Sequence, residues 1–290
     1  MMSMSGKTFA LLLALLSALS AKGHRPVAFV SRPANSSPVT TPMRELTATT
    51  TTTIDADLFG AAKQNATLQN DLNWTFGKKQ QRGWSIYVPL ISRLIGTEAG
   101  TESTDFAAAL YRWQRTNNLT PNGILGGETM YRMIQTWQAA RLQNRTPARD
   151  DQLITVPASE FYDASRPDEQ RRIERSTYAA YQRLLAAAAT AGAAEGSHLK
   201  IISAHRSREY QDNLRRKDPQ AGSAGLAINS PHFTGRALDL YVGGDPVDTK
   251  DANRSIQVRT RTYLWLVKNA EHFGFRPYPY EPWHWEYMGN

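Results

Sequence analysis

Two short segments near the C-terminal end of the chain hold residue types that can together bind a divalent metal ion and hydrolyse a substrate. The first contains His232 and Asp239, and the second contains Glu281 and His284. They supply two imidazoles, one carboxylate ligand and one spare carboxylate. A catalytic zinc site needs this set, because it uses three protein ligands, keeps a position open for water and places a base beside that water. The chain has no cysteine, so any metal must be bound by His, Asp or Glu.

The first segment has to present Asp239 on a face that leaves room for an ion. Residues 236–242 predict a strand, in which alternate side chains share one face. Leu238 and its alternate neighbours then point into the core, while Asp239 points to the opposite face. His232 lies on the preceding loop, and Gly235 allows the backbone to fold it back toward Asp239. Taken alone, such a histidine is more often a hydrogen-bonded core or surface residue, and such an aspartate more often caps a turn.

The second segment places Glu281 three residues before His284. That spacing would put both side chains on one face of a helix, but Pro282 between them argues against a helix. On a continuous strand the two would point in opposite directions. Both can reach one site only if Glu281 lies in the loop that enters the strand. The alternative is a surface glutamate beside a histidine that packs between two tryptophans.

These residues resemble the signature of zinc D-alanyl-D-alanine carboxypeptidases, the group that includes the vancomycin-resistance carboxypeptidases and dipeptidases, with phage endolysin endopeptidases as relatives. The signature Ser-x-His-x-x-Gly-x-Ala-x-Asp, followed by Glu-x-x-His-Trp, is present in full at Ser230, His232, Gly235, Ala237, Asp239, Glu281, His284 and Trp285. The resemblance covers about Leu153 to Asn290. It implies that His232, Asp239 and His284 bind one zinc ion and that Glu281 is the general base.

The same family has an arginine after a strand, in a setting similar to Ser-Gly-Tyr-Arg-Ser. This chain has Ser-Ala-His-Arg-Ser there, which aligns Arg206 with that arginine and puts His205 in place of the usual aromatic residue. The resemblance implies that Arg206 stabilises the oxyanion that forms when water attacks the peptide carbonyl. Arg206 and Ser230 are expected to contact the substrate. The alternative for Arg206 is an ion pair at the surface.

An upstream segment resembles the three-helix peptidoglycan-binding domain. Its signature is a helix that ends near Trp-Gln, a turn of the form Leu-x-x-Asp/Asn-Gly-x-x-Gly-x-x-Thr, and another helix. The matching residues are Trp113, Gln114, Leu119, Asn122, Gly123, Gly126 and Thr129. Helical spacing of apolar residues before and after the turn supports two amphipathic helices, the first capped by Thr104 or Asp105. The alternative is a helical hairpin that only braces the enzyme.

Composition predicts how the rest of the chain is organised. Lys7 is followed by an apolar stretch and then by small residues, which is typical of an export signal and is too short for a membrane span of about 20 apolar residues. A stretch rich in Pro, Ser and Thr follows and predicts a disordered tether. The expected order is a signal peptide, a linker, a peptidoglycan-binding-like helical domain, a connector and a zinc peptidase domain, at residues 1–21, 22–57, 58–142, 143–151 and 152–290.

The predicted fold class is α+β, with a mainly antiparallel sheet flanked by helices in the peptidase domain and a small all-α domain before it. Helices and strands alternate irregularly in the C-terminal half, which is typical of this class. Helices are expected at residues 166–194, 208–217 and 256–273, and strands at 198–203, 236–242 and 283–287.

The net charge of +8 suits anionic surroundings, and export makes the cell envelope the expected location: periplasm, cell wall or extracellular space. The basic residues are scattered among acidic ones, and no helix-turn-helix signature is present. We therefore expect no nucleic-acid partner.

The family resemblance implies hydrolysis of peptidoglycan stem peptides, at the terminal D-Ala-D-Ala bond. An endopeptidase of the same chemistry is one alternative, and a non-catalytic, zinc-containing wall-binding protein is another. Glu281 argues against the second alternative, because a purely structural zinc site needs no spare base. The helical domain is expected to hold the enzyme on peptidoglycan and so raise the local substrate concentration.

Overall fold

The computed structural model describes residues 45–219 and 225–289, all of which belong to one compact unit. The predicted signal peptide lies outside the described residues. The described chain begins with α1, whose first residues fall in the segment predicted as a linker. The upstream elements are α1 (Glu45–Asp71), β1 (Asn73–Phe76), β2 (Lys79–Arg82), α2 (Val88–Ile95), α3 (Thr104–Thr116) and α4 (Gly127–Ala139).

The two helices predicted around the Asn-Gly turn are confirmed as α3 and α4. Phe106, Leu110 and Trp113 lie on the buried face of α3, as their spacing predicts. The cap differs from the prediction, because Ser103 is the extended residue before the helix and its hydroxyl accepts from the Phe106 N–H. Ser, Thr and Asp are all good caps, so composition did not distinguish Ser103 from the two residues that follow it.

A β-hairpin adds to the helices expected in this part of the chain. Strands β1 and β2 pair antiparallel, and the two residues between them, Gly77 and Lys78, both have positive φ. A two-residue turn of this kind matches the right-handed twist of the strands. Gly-Lys is a weaker sequence signal for such a turn than Asn-Gly, so the hairpin was not predicted from the sequence.

The C-terminal half contains the predicted antiparallel sheet, which confirms the α+β class. Its strands lie in the order β5 (Ile201–Ser203), β6 (Ala237–Leu240), β8 (His284–Tyr287) and β7 (Phe275–Pro277), and every neighbouring pair is antiparallel. A separate antiparallel ribbon joins β3 (Leu153–Thr155) to β4 (Arg172–Glu174).

The helix predicted over residues 166–194 is wrong in its first third. Residues 172–174 pair with β3, and the helix α5 (Arg175–Thr190) begins only after Glu174. The Glu174 carboxylate accepts from the N–H groups of Ser176 and Thr177, which fixes the start of the helix. Within the predicted helix, Pro167 precedes a short 3₁₀ turn at Asp168–Gln170.

The helix predicted over residues 256–273 is instead two helices and a 3₁₀ turn. After α6 (Arg208–Lys217), which is confirmed as predicted, come α7 (Asp251–Gln257) and α8 (Arg261–Asn269). Thr260 breaks the predicted helix, because its hydroxyl accepts from the Tyr263 N–H and donates to the Val242 carbonyl. Gly274 ends the 3₁₀ turn in the left-handed conformation.

We call residues 45–142, which contain α1 to α4, the helical segment. One hydrophobic cluster contains side chains from this segment and from the four-stranded sheet. Phe106 and Trp84 belong to it, as do Leu238 and Trp285, all of them buried. The helical segment and the sheet are therefore packed together. Within the described residues no helix has the length and apolarity needed to cross a bilayer.

Candidate metal centre

The register of the sheet brings Asp239 and His284 together. The two residues are direct partners in the β6–β8 pair, and Oδ1 of Asp239 lies 2.9 Å from Nδ1 of His284. Leu238 is fully buried on the other face of β6, as the alternation predicts. Asp239 therefore faces the site.

His232 reaches the same carboxylate from a 3₁₀ turn at Pro231–Thr234. Gly235 ends this turn with φ of 66°, which confirms the expected fold-back of the loop. The Nδ1 atom of His232 lies 2.6 Å from the Ala204 carbonyl, so Nδ1 carries the proton there. Its Nε2 lies 3.3 Å from Oδ1 of Asp239 and keeps its lone pair for an ion.

The second ring nitrogen of His284, Nε2, is also hydrogen-bonded. Nε2 lies 3.2 Å from Oε1 of Glu286, two residues further along β8. Glu286 is fully buried and is held in turn by Arg141 and by the Leu142 N–H. Glu286 was not predicted from the sequence as a residue of the site. The period of two along a strand was the available signal, since it puts residues 284 and 286 on the same face.

The three residues fit a zinc ion. One ligand atom from each of His232, Asp239 and His284 lies within 4.8 Å of the other two, and all three residues are buried. The outward nitrogen of each imidazole is hydrogen-bonded, which fixes the ring and the tautomer in the way that metal-binding histidines require. Two nitrogens and one carboxylate oxygen form a ligand set typical of catalytic zinc.

Electrostatics hold the aspartate ionised. Burial alone would raise the pKa of Asp239, but His232 and Arg206 outweigh it and lower the pKa well below its usual value. Burial, followed by the Arg206 charge, lowers the pKa of His232 to about 4, which keeps this imidazole neutral. These are the forms of His232 and Asp239 that bind a metal. Burial would lower the pKa of His284, but its hydrogen bonds to Asp239 and Glu286 outweigh burial and raise the pKa to about 9, so this imidazole releases a proton when a metal binds.

Glu281 lies in the turn that enters β8, as the sequence analysis required. The His284 N–H donates to the Glu281 carbonyl at 2.9 Å, and Oε2 of Glu281 lies 4.0 Å from Nδ1 of His284. Burial raises the pKa of Glu281 to about 7. A buried carboxyl with such a pKa can accept and release a proton near neutral pH.

Arg206 follows β5 and contacts the other oxygen of the metal-site aspartate. Its Nη2 lies 2.5 Å from Oδ2 of Asp239, and its Nε donates to the Ser203 hydroxyl at 2.9 Å. The side chain is largely buried, so the alternative of a surface ion pair is wrong. His205, the neighbouring residue that departs from the family pattern, donates its backbone N–H to the Arg172 carbonyl.

A cavity of about 380 Å³ opens over these residues. Its wall includes Glu281, Arg206 and Ser230, and the Ser230 hydroxyl accepts from the His232 N–H at 3.3 Å. Basic side chains contribute strongly to the rest of the wall: Arg141, Arg145, Arg166 and Lys217. The structure thus brings every residue of the predicted site to one cavity of positive character.

The C-terminal part of the chain is similar to a known protein family. Residues 170–290, which make up less than half of the chain, match the family described as VanY: D-alanyl-D-alanine carboxypeptidase. The chain therefore contains a zinc metallopeptidase domain of the D-alanyl-D-alanine carboxypeptidase type, and the metal centre described above lies inside it. The comparison with curated proteins finds no match.

Two solved structures resemble parts of the chain at low identity. The LdcB LD-carboxypeptidase is 23% identical, with a TM-score of 0.37, over 50% of this chain and 72% of that chain. A mutant of the vancomycin resistance D,D-pentapeptidase VanY in complex with Zn(II) is 21% identical, with a TM-score of 0.35, over 53% of this chain and 89% of that chain.

The peptidoglycan-binding-like motif lies upstream of the VanY match, and the structure gives its residues a structural role. The Gln114 amide donates to Asn122 Oδ1 and Thr129 Oγ1, and its oxygen accepts from the N–H groups of Asn122 and Gly123. Asn65 on α1 bonds to the same turn, donating to the Gly123 carbonyl at 2.8 Å. The motif therefore fixes the turn between α3 and α4.

Proposed function

We propose that this protein removes the terminal D-alanine from peptidoglycan stem peptides, with His232, Asp239 and His284 as zinc ligands and Glu281 as general base. One observation carries the proposal. Two imidazoles and a carboxylate converge within 4.8 Å, and a fourth residue, the acidic Glu281, lines the same cavity without being needed as a ligand. A site built only to bind metal would have no use for that residue.

Glu281 moves the proton in the proposed reaction. When bound, zinc supplies a Lewis acid that polarises the scissile carbonyl and makes water more acidic. The Glu281 carboxylate takes a proton from water as the new C–O bond forms, and it returns that proton to the leaving amine as the C–N bond breaks. The products are a shortened peptide with a new carboxylate and free D-alanine.

Arg206 has two parts in this proposal. Its Nη2 holds Oδ2 of Asp239, so that Oδ1 faces the two histidines. Its guanidinium also lines the cavity, where a fixed positive charge stabilises the oxyanion that develops on the carbonyl oxygen. Ser230 orients the His232 loop and is placed to contact the substrate.

The charge of the cavity favours a carboxypeptidase over an endopeptidase. A terminal D-alanine carries a free carboxylate, and the cavity wall offers Arg145, Arg166 and Lys217. Arginine binds carboxylates with two parallel hydrogen bonds. An internal peptide bond has no such charge, so an endopeptidase would gain little from these side chains.

The helical segment is proposed to hold the enzyme on peptidoglycan, and the N-terminal apolar stretch is proposed to export it. The resemblance of residues 113–129 to the peptidoglycan-binding signature supports the first point. A family that acts on peptidoglycan supports the second, because that polymer lies outside the cytoplasmic membrane.

The test is incubation of the purified protein with pentapeptide muropeptides, followed by mass spectrometry. Loss of one alanine is expected, and it should stop with a chelator and in Glu281→Ala. Internal fragments of the stem or crosslink would show the endopeptidase instead. No chelator-sensitive product at all would point to the non-catalytic wall-binding protein.

A further inference from the structure

A buried ion pair connects the helical segment to the metal centre. Arg141 follows α4, and its Nε donates to Oε1 of Glu286 on β8 at 3.0 Å, with Nη2 bonded to the same oxygen. The other oxygen, Oε2, accepts from the Leu142 N–H at 2.8 Å. The Glu286 side chain is fully buried and that of Arg141 is 9% exposed. Both carboxylate oxygens of Glu286 are thus fixed from outside the sheet.

Glu286 in turn orients His284. Its Oε1 lies 3.2 Å from Nε2 of the imidazole, and a carboxylate oxygen that already accepts from Arg141 can only accept from that ring nitrogen as well. Nε2 therefore carries a proton. Nδ1, which lies 2.9 Å from Oδ1 of Asp239, is the nitrogen that faces the proposed metal site. The orientation of the His284 ring thus follows from where Glu286 is held.

Arg141 is itself held in one conformation. Its guanidinium carbon lies 3.8 Å from the centre of the Tyr278 ring, and its Nη1 donates to Oε1 of Gln138 on α4 at 3.1 Å. The Tyr278 ring also packs edge-on against the imidazole of His284, with 5.8 Å between ring centres. Tyr278 thus contacts both Arg141 and His284.

We propose that Arg141 is a positioning residue for the metal centre, acting on His284 through Glu286. Arg141 lies outside the residues 170–290 that match the VanY family, so the helical segment supplies part of the support for a zinc ligand of the downstream domain. This inference rests on the proposed role of His284 as a ligand. It makes the segment necessary for metal affinity as well as for any attachment to the wall.

The test measures zinc affinity, by competition with a chromogenic chelator, and the visible spectrum of the Co²⁺-substituted protein. Arg141→Met is expected to raise the zinc Kd about tenfold, at the lower end of the range typical of such supporting residues, and to shift the cobalt bands. Arg141→Lys keeps the positive charge but loses the planar guanidinium group. Its zinc Kd should lie between the values of Arg141→Met and the unaltered protein. The cobalt spectrum reports ligand geometry, which loss of packing elsewhere would not change.

A matched control is Arg93→Met. Arg93 on α2 pairs with Glu271 at 3.0 Å, another arginine–glutamate pair between the helical segment and the C-terminal half, with no contact to a proposed ligand. The zinc Kd of the Arg93→Met variant should equal that of the unaltered protein. If Arg141→Met does not fold, the double variant Arg141→Met/Glu286→Gln removes both buried charges and is expected to show the same loss of affinity.

The outcomes separate this inference from the proposed function. If the unaltered protein binds no zinc, the ligand assignment fails and this inference fails with it. If the unaltered protein binds zinc and a folded Arg141→Met variant has a Kd within twofold and an unchanged cobalt spectrum, only the positioning role is overturned. A rise in KM with unchanged zinc affinity would also overturn it, because Arg141 would then contact the substrate directly.

Discussion

Asp239 and His284 face each other across two antiparallel strands, with 2.9 Å between Oδ1 and Nδ1. The metal centre therefore depends on strand register as well as on loop conformation. A slip of one residue between β6 and β8 would turn one of these side chains toward the core. The alternating leucines of β6 prevent such a slip, because it would move them out of the core.

Glu281→Gln should separate catalysis from metal binding. Glutamine has nearly the same shape but cannot take a proton from water, so we expect kcat to fall by a factor of about 10² to 10⁴. Zinc content should stay equal to that of the unaltered protein, because Glu281 is proposed not to be a ligand. Steady-state kinetics and metal analysis on the same preparation give both values. Loss of zinc together with activity would show that Glu281 binds the metal.

Asp239→Ala should cost both metal binding and stability. The substitution removes a proposed ligand and leaves the buried guanidinium of Arg206 without its carboxylate partner. Breaking a buried ion pair on one side lowers the free energy of unfolding by about 3 to 5 kcal/mol. Denaturant unfolding in the presence of chelator isolates this effect from metal loss. An unchanged free energy of unfolding would contradict the role assigned to the Arg206–Asp239 pair.

The sequence was sufficient to predict which residues share the cavity and only partly sufficient to predict what supports them. The alternation around Asp239 and the break at Pro282 correctly predicted which side chains face the cavity. The partners of Glu286 were not predictable, because Arg141 is distant in sequence and only the tertiary packing brings it to β8. The start of α5 was missed because Glu174 first pairs in a strand and then caps the helix, and tertiary pairing overrode the local helical preference.

Gln114→Ala should destabilise the helical segment. Its side-chain amide is buried and bonds to both sides of the turn after α3, so alanine leaves the Asn122 and Gly123 N–H groups without that acceptor. Each buried group left without a partner costs about 1 to 3 kcal/mol. Thermal unfolding should show a clear fall in Tm. Gln135→Ala, at an exposed position on α4, is the control and should leave Tm unchanged.

Glu174→Gln should reduce stability at neutral pH but not in acid. Burial would raise the pKa of Glu174, but hydrogen bonds from Ser176 and Thr177 outweigh it and lower the pKa. A lowered folded-state pKa gives stability that is present above the unfolded pKa of about 4.3 and is lost as the pH falls through the folded value. We expect a loss of about 1 kcal/mol at pH 7, typical of a helix cap. The stabilities of the two proteins should converge as the pH falls through the lowered folded-state pKa of Glu174. A stability difference that does not depend on pH would show that the charge of Glu174 does not contribute to the cap.

The central claim is that His232, Asp239 and His284 bind one zinc ion while Glu281 does not. A crystal structure of the zinc-loaded protein, with anomalous data at the zinc edge, tests it most directly. We expect one peak bonded at about 2.0 to 2.2 Å to Nε2 of His232, a carboxylate oxygen of Asp239 and Nδ1 of His284. A peak elsewhere, or one with the Glu281 carboxylate inside bonding distance, would show that this ligand assignment is wrong.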